Sequence, residues 1–218
     1  MTINYLDIET QISQTSAKLV VVSKTQTIET INEVYLAGAR CFAENRVQEL
    51  LPKYEALPKD IEWHLIGSLQ SNKVGFIAPF VQLIHSVDSY KLLNVLQKEG
   101  LKCGRVIDCL LQVYIAQEKT KHGFTYKEIR EVLEWEAIPN MPNVRIVGLM
   151  GMATFTQNKT QVRQEFASLK QFFEEIKQTD LPKNVVMKEL SMGMSQDYEI
   201  AIEEGSTMVR IGSAIFKV

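Results

Sequence analysis

Leu19-Val20-Val21-Val22-Ser23 (residues 19–23) runs directly into Lys24 and Thr25. Over 28–38 there follows a segment in which Ile28, Ile31 and Tyr35 share one helical face. A short run that is apolar on both faces reads as a strand buried on both sides. Such strands belong to parallel sheets, whose crossovers are helices. The unit then repeats. Apolar runs recur at 40–43 (RCFA), 62–66 (EWHLI), 82–87 (QLIHSV), 106–115 (VIDCLLQVYI), 144–149 (VRIVGL), 187–190 (MKEL) and 208–211 (MVRI), which makes eight in all. The runs at 40–43 and 187–190 are the weakest. Helical patterns fill the gaps at 45–57, 70–78, 89–99, 125–137, 160–178 and 196–204, and a further helix is expected at 3–17. The clearest is 160–178, where Val162, Phe166, Leu169, Phe173 and Ile176 step by four, three, four and three. Ser89 supplies an N-cap for the helix at 89–99. Eight such units predict a closed (β/α)8 barrel with an extra N-terminal helix. An open doubly wound sheet is the alternative.

The chain has 218 residues, 45 % apolar and 23 % charged, an ordinary globular balance. No linker rich in Pro, Gly or Ser interrupts it, so a single domain over 1–218 is expected. No apolar run approaches the ~20 residues that span a bilayer. The start, MTINYLDIETQ, lacks the basic and apolar regions of a secretory signal. The three cysteines, Cys41, Cys103 and Cys109, are odd in number and form no CxxC. That argues against a disulfide framework and against a zinc site, and suits a cytoplasmic protein. A net charge of −2 offers nothing to a polyanion, so nucleic acid is not expected as a partner.

In a (β/α)8 barrel the reactive side chains sit at the C-terminal ends of the strands, and phosphate usually binds in the loops after the last two. Lys24 follows the first run. A lysine withdrawn from water at the barrel mouth is a usable amine nucleophile for an aldehyde. Taken alone, a lysine that ends a strand and snorkels to water is the commoner case. After the seventh run come Ser191-Met192-Gly193-Met194-Ser195 and a helical segment containing Asp197. A glycine turn entering a helix N-terminus presents free N–H groups to an anion, with Ser195 adding a hydroxyl. A plain N-cap reads equally well. The eighth run carries Arg210, then Gly212 and Ser213, which would complete a phosphate cup. A buried Arg210 needs an acceptor, either a ligand ring nitrogen or an internal carboxylate. An amine, a phosphate cup and a cation for a heterocycle on neighbouring strands suit a phosphorylated aldehyde cofactor.

LVVVSKT, ENRVQEL, WHLIGSLQSNKV, IHSVDS and ELSMGMSQDYEIAIEEGSTMVRIGSAIF together resemble the YggS/PROSC family, the pyridoxal phosphate homeostasis proteins. The likeness runs from about residue 18 to the C-terminus and is most specific over Leu190–Phe216. It implies a barrel like the N-terminal domain of alanine racemase. It also implies pyridoxal 5′-phosphate held as a Schiff base on Lys24, its phosphate on Ser195, Gly212 and Ser213, and its pyridine nitrogen facing Arg210. Asn45 matches a family position near the cofactor. Members bind the cofactor without established turnover and are implicated in keeping its free level low; PLP-dependent apo-enzymes are the implied partners. Ala43, Ser68, Tyr114 and the ending IFKV depart from the usual pattern. The Tyr114 change puts in doubt hydrogen bonding carried over to the mouth end of the fifth run.

The competing function is a small amino-acid racemase. A racemase of this fold needs a second acid/base from a separate C-terminal domain. The chain ends at Val218 directly after the eighth run, which favours the carrier and a monomer. A third reading, a Schiff-base aldolase using Lys24, needs no chromophore. His64 reads as a core residue ahead of a cofactor contact, His85 as structural or as a support behind the residues that touch the ligand, and His122 as solvated. Met150 and Met152 suit core packing or a pocket lining, and QSNK at 70–73 a helix start near the mouth.

Overall fold

The computed structural model describes residues 2–116 and 123–217. Eight parallel strands close on themselves in chain order: β2 (Lys18–Val22), β3 (Cys41–Glu44), β4 (Glu62–Leu65), β5 (Leu83–Val87), β6 (Ile107–Val113), β7 (Val144–Gly151), β8 (Val185–Met194) and β9 (Met208–Ile211). The closing pair is β2 with β9, in register Val20 to Arg210 and Val21 to Ile211. The expected (β/α)8 barrel is therefore the fold, and the open sheet is excluded.

Helices cover the outside: α1 (Tyr5–Ser13), α2 (Ile28–Leu36), α3 (Val47–Ala56), α4 (Val74–Ile77), α5 (Tyr90–Cys103), α6 (Tyr126–Leu133), α7 (Lys159–Lys177) and α8 (Tyr198–Glu203). Their ends are set locally. The Ser89 hydroxyl accepts the Leu92 N–H, and Gly104 closes the same helix in the left-handed conformation at φ 66°. Thr125 and Glu128 form a reciprocal capping box on α6. Each helix buries one stripe against the barrel; for α7 this includes Val162, Phe166, Leu169, Phe173 and Ile176. Fully burying a side chain such as Phe166 contributes about 2–3 kcal/mol. Among the described residues no helix is long and apolar enough to cross a membrane.

Two differences from expectation concern element limits. The segment 70–78 is a 3-10 turn (Ser71–Lys73) leading into the single helical turn α4. The weak run 187–190 is the core of a ten-residue strand that continues through Met194. β8 lies so close on β7 that a Cβ on Gly148, at φ 153°, would meet the Glu189 carbonyl oxygen at 1.7 Å. Only glycine fits there, and the register shifts at that point. A two-residue antiparallel pair, β1 (Thr2–Ile3) with β10 (Phe216–Lys217), ties the two ends of the chain together.

The barrel is filled, not hollow. Val20, Ala43, Leu83, Leu110, Val147, Met150 and Met208 form an inner apolar cluster that includes Cys41. Buried among these strands are His64, His85, Ser191 and Arg210.

Candidate functional site

Lys24, Asn45, Ser195, Gly212 and Ser213 follow β2, β3, β8 and β9, all at the C-terminal end of the barrel. These four strands are consecutive around the wall, since β8 pairs β9, β9 pairs β2 and β2 pairs β3. Distant stretches of sequence are thus brought to one mouth. Gly212 packs so tightly on β2 that a Cβ there would stand 2.9 Å from the Val22 carbonyl oxygen. The loop after β9 consequently lies against the end of β2, two residues before Lys24.

The turn at Lys24 is unusual. Thr25 has φ 64°, the one positive φ of a non-glycine among the described residues. A β-branched residue in that region costs about 1–2 kcal/mol. The Thr25 N–H donates to Glu49 Oε2 at 3.1 Å, which offsets part of this cost. Beneath the turn the buried Ser23 hydroxyl donates to Glu44 Oε1 at 2.7 Å. The Lys53 ammonium donates to the same oxygen at 2.7 Å and to the Ser23 carbonyl at 2.9 Å. Burial pushes the Glu44 carboxyl above its usual range, against the pull of Lys53 and Ser23. Ser23, Glu44, Glu49 and Lys53 thus buttress the residues on both sides of Lys24. Their sequence gave no sign of this, because a buried Glu–Lys pair nine residues apart across a strand and a helix has no spacing signature.

Lys24 itself is exposed, contrary to the expected withdrawal from water. It lies two residues beyond the end of β2 at Val22, in the turn that includes Thr25. Among the described residues no hydrogen bond or ion pair engages its ammonium.

The residues expected to form a phosphate cup are arranged differently from expectation. Ser191–Met194 is strand, not loop, and α8 is too short to act as an anion-binding helix end. The donors come from the other side: the backbone N–H groups of Gly212 and Ala214 both point at Ser195 Oγ, each at 3.3 Å. Asp197 steadies the turn by accepting the Met194 N–H at 2.6 Å. An open groove of about 350 Å³ touches Ser195, Ser213 and Ala214, with α1 forming its outer side. Two backbone donors converging on one serine oxygen beside an open groove fit a phosphate group. Asn45 lies half-buried at the same mouth, with its carbonyl pressed on Gly67.

Arg210 is buried inside the barrel. Its Nη1 donates to Ser191 Oγ at 2.6 Å and its Nη2 to the Gly151 carbonyl at 3.1 Å. Burial lowers it to about 10, with the Asp197 carboxylate opposing the shift. It therefore remains a cation and a pure donor at neutral pH.

His64 and His85 are both buried and hydrogen-bonded inside the barrel. His85 Nδ1 stands 2.9 Å from Ser191 Oγ, behind Arg210. His64 is a core residue, as read. Met150 packs in the inner cluster with Met152 against it. His122 lies outside the described residues.

The model of the alanine racemase N-terminal domain matches residues 1–218. A pyridoxal phosphate homeostasis protein of Aquifex aeolicus is 43 % identical over 201 residues, covering 92 % of this chain and 86 % of the relative. One from Synechocystis is 37 % identical over 203 residues, covering 92 % and 91 %. The structure of PipY from Synechococcus elongatus with PLP bound superposes with a TM-score of 0.85 at 34 % identity, over 97 % of this chain and 99 % of that one. An alanine racemase from Bartonella henselae shares the fold, at TM-score 0.73 and 16 % identity over 99 % of this chain and 57 % of that one.

Proposed function

We propose, from the premise that this chain belongs to the alanine racemase N-terminal-domain family and within it to the pyridoxal phosphate homeostasis proteins, that it is a carrier holding pyridoxal 5′-phosphate as a Schiff base on Lys24. The observation that supports the reading is that Lys24 and the Ser195–Gly212–Ala214 turn follow strands that are neighbours across the β2–β9 closure, at the C-terminal end of the barrel. Bound there, the cofactor supplies an aldehyde that condenses with an amine and a ring that can accept electron density. Everything else is the protein's part. Ser195, Ser213 and the N–H groups of Gly212 and Ala214 bind the phosphate, and Asn45 closes the mouth beside β3. Arg210 would serve the ring nitrogen as a donor that keeps its own proton, which would leave that nitrogen unprotonated and the ring a weak electron sink.

That weakness favours holding over turnover, and so does the exposure of Lys24. An amine open to water meets an aldehyde arriving from solution and releases it again by the same route. The curated relatives quoted above carry the names of homeostasis proteins, which supports the carrier over the racemase. The same reading makes the protein a single-domain cytoplasmic monomer that passes cofactor to PLP-dependent apo-enzymes; three free cysteines suit that compartment.

Titration of the purified protein with pyridoxal phosphate tests the proposal. Wild type is expected to turn yellow with a protein-bound absorption band, and Lys24→Ala to lose that band. A wild-type protein that takes up no cofactor would overturn the reading.

A further inference from the structure

Inside the barrel runs a line of polar side chains for which the mouth loops do not account. From the mouth downward, Arg210 Nη1 donates to Ser191 Oγ at 2.6 Å and Ser191 Oγ stands 2.9 Å from His85 Nδ1. His85 Nε2 is 3.0 Å from His64 Nδ1, and His64 Nε2 is 3.5 Å from Cys41 Sγ. All five residues are buried. They come from β9, β8, β5, β4 and β3, and Cys41, the first residue of its strand, marks the barrel floor.

Chemistry sets the direction of this line. A guanidinium only donates, so Ser191 Oγ accepts from Arg210. The Ser191 hydrogen is itself buried, and among the described residues the acceptor within its reach is His85 Nδ1. A buried hydroxyl left without an acceptor pays the full desolvation of that group. His85 is then bare at Nδ1, and a neutral imidazole with a bare Nδ1 carries its hydrogen on Nε2. It donates to His64 Nδ1, which leaves the His64 hydrogen on Nε2, toward Cys41. Both rings are neutral: burial drives His64 down to about 3 and His85 well below its usual value, with the Arg210 charge adding to the shift of His85. One donor direction therefore runs from the barrel mouth to its floor.

We infer that Ser191, His85 and His64 are positioning residues for Arg210, a one-way hydrogen-bond chain that fixes the guanidinium at the barrel mouth. The inference rests on the reading of Arg210 as the partner of the cofactor ring. An arginine side chain has many rotamers, and an unanchored one would lose that freedom on binding any ligand. With Nη1 held on Ser191 and Nη2 on the Gly151 carbonyl, one side of the fork is clamped before a ligand arrives. The other donors are left for the ring.

The floor of the chain suggests a different use. Cys41, Glu62 and His64 bring ligand atoms within 4.8 Å of one another, a spacing that would suit a metal ion. The chain's direction argues against it. It places a hydrogen on His64 Nε2, the nitrogen nearer to Cys41, and a metal there would have to reverse every bond up to Ser191. The Lys18 ammonium already pairs with Glu62.

The test has two parts. Imidazole ¹⁵N shifts of the protein without cofactor are expected to show His64 and His85 as neutral Nε2–H tautomers. A hydrogen on Nδ1 of either ring would overturn the inference. With pyridoxal phosphate added, His85→Leu is expected to bind about ten-fold more weakly and to show a displaced absorption band, while the adduct still forms on Lys24. His85→Gln, whose amide oxygen can accept from Ser191 and whose N–H can donate to His64, is expected to restore both. Unchanged affinity and band in His85→Leu would reduce the chain to a packing feature and overturn the proposal. Should His85→Leu not fold, Ser191→Ala carries the same expectation. Failure of wild type to form a Lys24 adduct would overturn the reading of the site instead, since the tautomers are read without cofactor.

Discussion

The Lys53 ammonium lies 2.7 Å from Glu44 Oε1 inside the wall of the barrel, and its second hydrogen bond holds the carbonyl of Ser23, the residue before Lys24. The carboxylate side chain has no exposure and the lysine side chain very little. A pair so placed gains little by existing, but breaking it leaves a charge stranded in the protein interior.

Lys53→Met is accordingly expected to lower stability by about 3–5 kcal/mol in urea denaturation. The double variant Lys53→Met, Glu44→Leu is expected to recover most of that loss. A single variant within about 1 kcal/mol of wild type would show that the pair is not buried as described.

The two barrel histidines make stability depend on pH. Both are held neutral in the folded state, His64 at about 3 and His85 well below its usual value, whereas in the unfolded chain each titrates near ~6.5. Below that pH the unfolded state binds more protons, so the contribution is present above ~6.5 and is lost as pH falls toward the folded values. From pH 7 to pH 5.5 the loss is roughly 1 kcal/mol per histidine, or about 2–3 kcal/mol together. Denaturation curves at the two pH values should show this excess loss in wild type relative to His64→Gln, His85→Gln. Equal slopes would mean that the rings already carry charge in the fold.

Thr25 pays a conformational cost at φ 64° that glycine would not. Thr25→Gly is expected to raise stability by roughly 1 kcal/mol, measured by thermal or urea unfolding. A loss of similar size would show that the threonine side chain contributes more than its backbone conformation costs.

Ser195 takes two backbone donors at the place assigned to phosphate. Ser195→Ala should weaken pyridoxal phosphate by about ten-fold and leave unphosphorylated pyridoxal little affected. Equal weakening of both ligands would move the phosphate elsewhere.

Much of this arrangement could be read before folding was considered. The alternation of apolar runs with helical stretches gave the barrel, because period and length survive in one dimension. Lys24, Ser195, Arg210 and Gly212 were legible because strand ends in such a barrel have a known address. What stayed hidden was pairing between distant positions. Ser191 looks like part of a turn beside Gly193, yet it belongs to β8, paired with Met150 and Met208, and its hydroxyl serves Arg210 and His85 inside the barrel. The Glu44–Lys53 buttress joins a strand to the next helix, and nothing in ENRVQEL separates it from a solvated charge pattern. The exposure of Lys24 was misjudged for a related reason. A lysine after an apolar run looks withdrawn from water, yet β2 ends at Val22 and Lys24 stands beyond it in a turn whose Thr25 has a positive φ, a conformation that no residue preference announces for threonine.

The central claim is the identity of the amine that holds the cofactor. Borohydride reduction of the protein with pyridoxal phosphate, followed by peptide mass mapping, tests it directly. The expected result is one pyridoxyl phosphate group fixed on Lys24 and none in Lys24→Ala. A label on Lys53 or another lysine, or no label on wild type, would contradict the account.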